Sequence, residues 1–341
     1  MNVFLYEEND MNVLVTGGTG FVGSHLIPAL LKEKYEVICL VRNQDKAKKL
    51  ERKYGIKTIL GDVTKAETLT GISDNIDYVI HLAAMGHVSA VSEEAYHMFV
   101  GINETGTKNL VKEFISSKRL KKFIHFSSTA AMGPAQYDIL DETSEPNPKT
   151  PYQKSKYRSE QIIVNAYKEQ MFPGIVIRPC MIYGPGGYGE FYKFCKLMKK
   201  GIFPKVGRGK NLTPLVYVKD VVSASVLALK NGNIGETYII ASDISIPMDE
   251  LRYYIIKNIG SKSPYIFVPC FIALTGASII EKVYALVGKE PIVTYTNIKS
   301  TIVDRTFKID KAKKELKYVP ECSFEDGIKK TIQWYQAEHK I

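Results

Sequence analysis

Cysteine is scarce in this chain of 341 residues. The five cysteines, Cys39, Cys180, Cys195, Cys270 and Cys322, show no paired spacing and no Cys-x-x-Cys. That excludes a disulfide-framed scaffold and a cysteine zinc site, and it fits reduced thiols in a cytoplasmic protein. A long uninterrupted apolar run is also missing. The most apolar stretch, residues 266–287, is interrupted by Pro269 and Gly276 and divided by Glu281 and Lys282. A membrane-spanning helix needs about 20 predominantly apolar residues, and charges inside it are costly. Residues 1–10 have no long apolar core and do not read as a signal peptide; they read as an extra turn, or as the product of a start site ahead of Met11. No internal repeat, low-complexity tract or module of interleaved basic and aromatic residues occurs, so nucleic acid is not an expected partner. Acidic residues number 36 against 46 basic ones, a net charge of +10. Spread as they are, the lysines read as solvated helix faces, with attraction of a polyanionic cofactor or an anionic membrane as the alternatives.

What is present begins with Met11–Gly23, MNVLVTGGTGFVG. The apolar run Val13-Leu14-Val15 predicts a buried strand, residues 16–20 a glycine-rich turn, and the residues after Gly20 a helix to about Glu33. Strand, turn and helix in this order place a pyrophosphate on a helix N-terminus, where unpaired N–H groups and the helix dipole meet its charge. Gly17 serves the tight turn, Gly20 the approach of backbone to phosphate, and Gly23 the packing of the helix. Thr19, Phe21 and Val22 fall in the same stretch.

Short apolar runs then alternate with amphipathic ones. Strands are expected at 13–16, 36–41, 58–60, 78–82, 122–127 and 175–178, and helices at 21–33, 46–54, 103–117 and 152–170. Repeated units of this kind imply an α/β fold with a Rossmann-type, doubly wound parallel sheet whose ligands sit beyond the C-terminal strand ends. The expected division is a dinucleotide-binding domain over residues 11–180, to which 215–245 return, and a smaller C-terminal substrate-binding lobe from 181–214 and 246–334. For residues 266–287 the leading reading is a helical lid over an apolar substrate pocket; an interfacial membrane helix is the alternative.

Two further stretches carry chemistry. In Pro151-Tyr152-Gln153-Lys154-Ser155-Lys156, Pro151 suits a first helical turn, and Tyr152 and Lys156 then share one helix face. An ammonium beside the phenol would favour the phenolate and fit Tyr152 for proton exchange with a substrate oxygen. The strand Phe123-Ile124-His125-Phe126 ends in Ser127-Ser128-Thr129, which offers a hydroxyl to the same crevice. No metal-ligand cluster is evident.

Thr16–Gly23, His81-Leu82-Ala83-Ala84, residues 103–110 and 126–133, Pro151–Lys156 and residues 178–186 occur in an order that resembles the extended short-chain dehydrogenase/reductase family, also called the NAD-dependent epimerase/dehydratase family. The likeness runs from Met11 to about Asp220, with a looser tail to Trp334. It implies Tyr152 as catalytic acid/base, Lys156 as its electrostatic partner, and Ser128 as the substrate-binding hydroxyl, with Ser127 and Thr129 as fallbacks. Asp62 and Val63 would contact adenine, Leu82, Ala83 and Ala84 would line the cofactor cleft, and the 179–183 backbone, with Pro179 and Ile182, would lie near the nicotinamide. Asn103 reads either as a residue near the site or as a buried structural amide. The likeness also implies a homodimer through helices 103–117 and 152–170.

At the end of the second strand Arg42 stands where an NAD enzyme places an acid. It could fork onto a 2′-phosphate, so NADP is the expected cofactor, with NAD the alternative. The arginine that nucleotide-sugar members place before the Val-x-x-Asp strand is replaced by Thr213 or Pro214, with Arg208 and Lys210 as substitutes. No acid follows Ser128, which argues against dehydration. The C-terminal half resembles the steroid-dehydrogenase-like and dihydroflavonol-reductase-like branches. The expected function is therefore interconversion of a secondary alcohol and a ketone on a fairly apolar small molecule, with His87 and Tyr183 as further substrate contacts. The alternatives are a nucleotide-sugar 4-epimerase holding NAD tightly, and a non-catalytic NAD(P)-binding protein.

Overall fold

A computed structural model describes residues 11–86, 93–134, 139–201, 203–261, 266–287, 291, 293–300 and 302–341. Seven parallel strands form its central sheet. Six are β1 (Asn12–Thr16), β2 (Glu36–Val41), β3 (Lys57–Leu60), β4 (Tyr78–His81), β5 (Lys122–Phe126) and β6 (Gly174–Pro179), and the seventh is Thr237–Ile240. Their spatial order is β3-β2-β1-β4-β5-β6, followed by Thr237–Ile240 beside β6. The order reverses between β1 and β4, and a doubly wound sheet opens its ligand crevice at such a point.

Both faces of the sheet are covered, and the alternation along each strand shows how. On β1, Val13 and Val15 join one core while Leu14 joins the other. On β5, Ile124 and Phe126 face the first core and Phe123 the second; on β6, Ile175 and Ile177 face the first and Val176 the second. The first core takes in α1 (Phe21–Lys32), α2 (Gln44–Tyr54) and α7 (Val218–Asn231). The second takes in α4 (Gly106–Phe114) and α5 (Pro151–Gln170). Burial on both faces explains why these strands read as continuous apolar runs. The expected α/β doubly wound fold is what the chain forms.

Beyond the sheet, β7 (Met181–Tyr183) pairs in parallel with Leu215–Tyr217, apart from the central sheet. Helices α6 (Glu190–Lys199), α8 (Met248–Ile259) and Phe324–Ala337 enclose a third core that holds Phe191, Met198, Leu251, Ile255, Ile328 and Tyr335. The apolar stretch forms α9 (Cys270–Leu286). Ahead of α4, α3 (Glu93–Phe99) leads into a π-helical turn, Val100–Thr105.

Candidate active site

The glycine turn closes against β4. Gly17 has φ +72, in the left-handed region, and a Cβ on it would come within 2.8 Å of the Ala83 nitrogen and the Leu82 carbonyl carbon. A Cβ on Gly23 would come within 2.6 Å of the Gly18 Cα, so the first turn of α1 lies directly on the loop before it. Gly20 caps α1 without a side chain, and no acid occupies the helix's first turn. An uncapped N-terminus leaves its first N–H groups to an anion. The cradle thus fits a dinucleotide pyrophosphate, with Thr19 and Gly20 exposed at its tip. Val22 packs on the first core. Phe21 sits under the loop after β7, where a Cβ on Gly187 would come within 2.9 Å of its ring. His25 Nε2 bonds the Pro185 carbonyl at 2.8 Å, tying α1 to that loop.

Around the cradle, Asp62 is held in a local turn, its Oδ1 accepting from the Thr64 nitrogen and hydroxyl at 2.9 Å. Val63 is buried beneath Gly106, and its carbonyl accepts from Asn109. Arg42 is exposed at the end of β2, beside Asn43, which caps α2. Leu82 and Ala83 are half-buried and Ala84 is exposed.

A buried polar chain runs beneath. The Ala83 N–H donates to Thr16 Oγ1, and Thr16 Oγ1 lies 2.7 Å from His81 Nδ1. The Thr107 hydroxyl donates to the Asn103 carbonyl, which leaves His81 Nε2–H to donate to Thr107 at 3.1 Å. Nδ1 is then the acceptor, and the ring is neutral. Burial, reinforced by the Lys156 charge, pushes His81 down to about 3, and burial first, then Lys156, pushes His125 down as well. Both rings must gain a proton on unfolding in acid, so the stability they contribute is full above the ordinary value of 6.5 and is lost as pH falls towards about 3. The urea midpoint should therefore decline between about pH 7 and about pH 5, where carboxylates are still ionised. A midpoint constant over that interval would contradict the neutral assignment.

Helix α5 starts with a complete capping box, Thr150 with Gln153, and Pro151 opens its first turn. Its buried face carries Ser155, Lys156, Ser159, Glu160 and Ile163 at helical spacing. Ser128 caps the short turn Thr129–Met132, its oxygen accepting from the Ala130 nitrogen at 3.1 Å. Burial raises the Tyr152 phenol, and a hydrogen bond from Ser128 opposes that rise. The Lys156 ammonium donates to the Phe126 carbonyl at 2.6 Å. Burial brings Lys156 down to about 8, with Glu160 acting against the fall. Of the fallbacks, Ser127 Oγ is buried without a hydrogen-bond partner in the structure and Thr129 bonds Cys180, which leaves Ser128 beside Tyr152. Asn103 proves to be a positioning amide. Its Oδ1 accepts from the Met85 nitrogen at 2.8 Å and its Nδ2 donates to Ser155 Oγ at 2.9 Å. It fastens the segment after β4 to α5.

Ser128 and Tyr152 open onto a cavity of about 600 Å³, to which Pro179 and Ile182 also contribute. Segments beyond the central sheet supply the far wall: Phe194 and Phe203, with ring centroids 5.4 Å apart, and the cations Lys193, Lys205, Arg252 and Arg305. Lys205 pairs with Asp249 at 2.5 Å, and Arg252 donates to the Phe203 carbonyl at 2.5 Å. Arg305 Nε is buried with no hydrogen-bond partner, and burial pushes its guanidinium down from its ordinary range. Sequence reasoning missed Lys205, Arg252 and Arg305, which lie in no motif. Arg208 and Lys210, the expected substitutes, are exposed and do not line the cavity. Neither does any residue of 266–287, so the expectation of a lid over the pocket is corrected. Tyr183 is 1% exposed and packs among Phe191, Tyr217 and Gly327 in the third core, away from the cavity. His87 lies outside the described residues. Among the described residues no group of His, Cys, Asp and Glu could hold a metal.

The sequence model of the NAD dependent epimerase/dehydratase family matches residues 13–241. The chain is 28% identical to human dTDP-D-glucose 4,6-dehydratase over 95% of its length and 89% of the relative's. It is 32% identical to the enzyme of the same name from Dictyostelium discoideum, over 95% and 81%. Among solved structures it is similar to UDP-glucose 4-epimerase with UDP-glucose from Thermotoga maritima, at 26% identity and a TM-score of 0.77, covering 96% of this chain and 100% of that one.

Proposed function

The chain belongs to the NAD-dependent epimerase/dehydratase family, and we propose that it oxidises and re-reduces C4 of a nucleoside-diphosphate sugar, as a 4-epimerase that retains its NAD. Family membership makes it an enzyme that works with a nicotinamide dinucleotide. The observation that supports the sugar-nucleotide reading is the single cavity joining Ser128 and Tyr152 to Arg305, Arg252 and Lys205. Guanidinium and ammonium groups lining one cavity are suited to a diphosphate, and the Phe194–Phe203 wall is suited to stacking against a flat base. Relatives act on dTDP-glucose, and one neighbour binds UDP-glucose. The cavity acids, Glu190 and Asp249, belong to the lobe, and no acid follows Ser128, so dehydration is not proposed.

A nicotinamide bound beyond the ends of β1 and β4 would take up and return the C4 hydride. The protein's part is acid–base chemistry and orientation. Tyr152, as phenolate, accepts the proton of the C4 hydroxyl and later gives it back. Ser128 donates to the Tyr152 oxygen and steadies the charge there. Lys156, protonated below about pH 8, supplies a fixed positive charge one helical turn from Tyr152.

A second reading rests on Arg42. With an exposed arginine in place of an acid at the end of β2, a 2′-phosphate has a partner, which favours NADPH and net reduction of a 4-keto sugar nucleotide. Cofactor retention separates the two. Protein that keeps NAD through dialysis and interconverts UDP-glucose or dTDP-glucose with its C4 epimer is the expected result. Consumption of NADPH with a 4-keto sugar nucleotide would transfer the assignment to the reductase. In that case Arg42→Ala should raise the KM for NADPH about tenfold or more over that for NADH, and equal losses would reject the 2′-phosphate contact.

A further inference from the structure

Helix α9 turns its more apolar side outward. Phe271, Ile272, Thr275, Ile279, Val283 and Leu286 recur at spacings that keep them on one side of a helix. Phe271, Ile279 and Leu286 are 70, 56 and 88% exposed. The opposite side holds Ala277, the buried residue of the helix, with Glu281 half-buried near it. On the strand before α9, Phe267 extends the apolar surface and is also exposed. A surface helix ordinarily buries its apolar stripe, and a contiguous exposed one marks an interaction site. No residue of 266–287 lines the cavity, so the reaction does not use this face. No helix among the described residues is long and apolar enough to cross a membrane.

We infer that this face of α9 seats the protein on an anionic lipid surface, with the helix lying in the headgroup plane. Charge selects that occupant. Lys282 stands within the apolar side of α9 and is exposed. Arg208 and Lys210 flank the start of the helix, because a Cβ on Gly207 would strike Cys270 Sγ; both are exposed. The neighbouring helix Tyr295–Ser300, which packs on α9, adds exposed Lys299. The chain as a whole carries +10. Anionic headgroups complement these cations at the depth where the apolar side chains insert. A second copy docked face to face would set the same cations against each other.

Sedimentation of the full-length protein with lipid vesicles tests this. The protein should pellet with vesicles of phosphatidylcholine and phosphatidylglycerol, much less with phosphatidylcholine alone, and less as salt rises. Replacing Phe271, Ile279 and Leu286 together by serine should weaken binding at least about tenfold. These side chains are exposed, and an unchanged thermal transition verifies that the variant is folded. Lys282→Glu, which alters one exposed charge, should weaken binding to the anionic vesicles about tenfold and carries the test if the triple variant does not fold. Failure of the parent protein to pellet with anionic vesicles would overturn the inference. So would undiminished binding by the variants, or a dimer in solution that the triple substitution dissociates.

Discussion

Tyr152→Phe should lower turnover by about 10²–10⁴-fold while leaving dinucleotide binding intact. The substitution removes one oxygen, the only atom of Tyr152 that can carry a proton. Its ring still packs on Phe99, with centroids 5.6 Å apart, and α5 keeps its capping box. The dinucleotide cradle lies on β1, α1 and the end of β4, so a calorimetric titration with NAD should give parent-like affinity. Ser128→Ala should fall between parent and Tyr152→Phe, since it removes the hydrogen bond that opposes the burial-raised phenol but not the proton carrier. A Tyr152→Phe protein that retained parent turnover would mean that another group moves the proton.

A loss of stability of about 3–5 kcal/mol is expected for Glu160→Ala. Glu160 and Arg178 form an ion pair with two bonds, Nε to Oε1 at 3.0 Å and Nη2 to Oε2 at 2.7 Å. Both are buried, at 1 and 6% exposure. Removing the carboxylate alone strands a guanidinium between α5 and β6, where water cannot replace the lost partner. The pair itself need not stabilise the fold relative to an apolar pair, because desolvation offsets most of its attraction. The double variant Glu160→Leu/Arg178→Met should accordingly recover most of the loss. Urea denaturation of the three proteins checks both statements. A single variant within about 0.5 kcal/mol of the parent would show that Arg178 finds another partner. The pair lies close to the chemistry, since Glu160 is one turn beyond Lys156 and Pro179, which lines the cavity, follows Arg178 directly.

These two sites differ in how far the sequence revealed them. Tyr152, Lys156 and the glycine turn were legible because their roles depend on local spacing: a tyrosine and a lysine one turn apart, glycines where a Cβ would strike Ala83 or Gly18. The sheet was legible for the same reason, since short continuous apolar runs alternating with amphipathic stretches specify strands with both faces buried. The ion pair of Glu160 with Arg178, the His81 chain and the cations of the cavity depend on residues brought together from distant segments. Arg305 lines the cavity with Lys205 and Arg252 although the three are far apart in the chain, and no spacing rule encodes that. The apolar stretch misled for a related reason. Its composition called for burial, and only the packed structure shows α9 facing outward while other segments, among them α6, α8 and Arg305, line the cavity. Substrate polarity was therefore the part least accessible from the chain.

The central claim is hydride exchange at C4 of a nucleoside-diphosphate sugar held between Tyr152 and the cations around Arg305. Its most direct test is mass spectrometry of the sugar recovered after the purified, NAD-loaded protein is incubated with UDP-glucose or dTDP-glucose deuterated at C4. Formation of the C4 epimer with its deuterium still at C4, absent with Tyr152→Phe, is the expected result. Protein that binds the cofactor and both sugar nucleotides, yet forms no epimer or forms one whose C4 deuterium has been replaced by hydrogen, would contradict it.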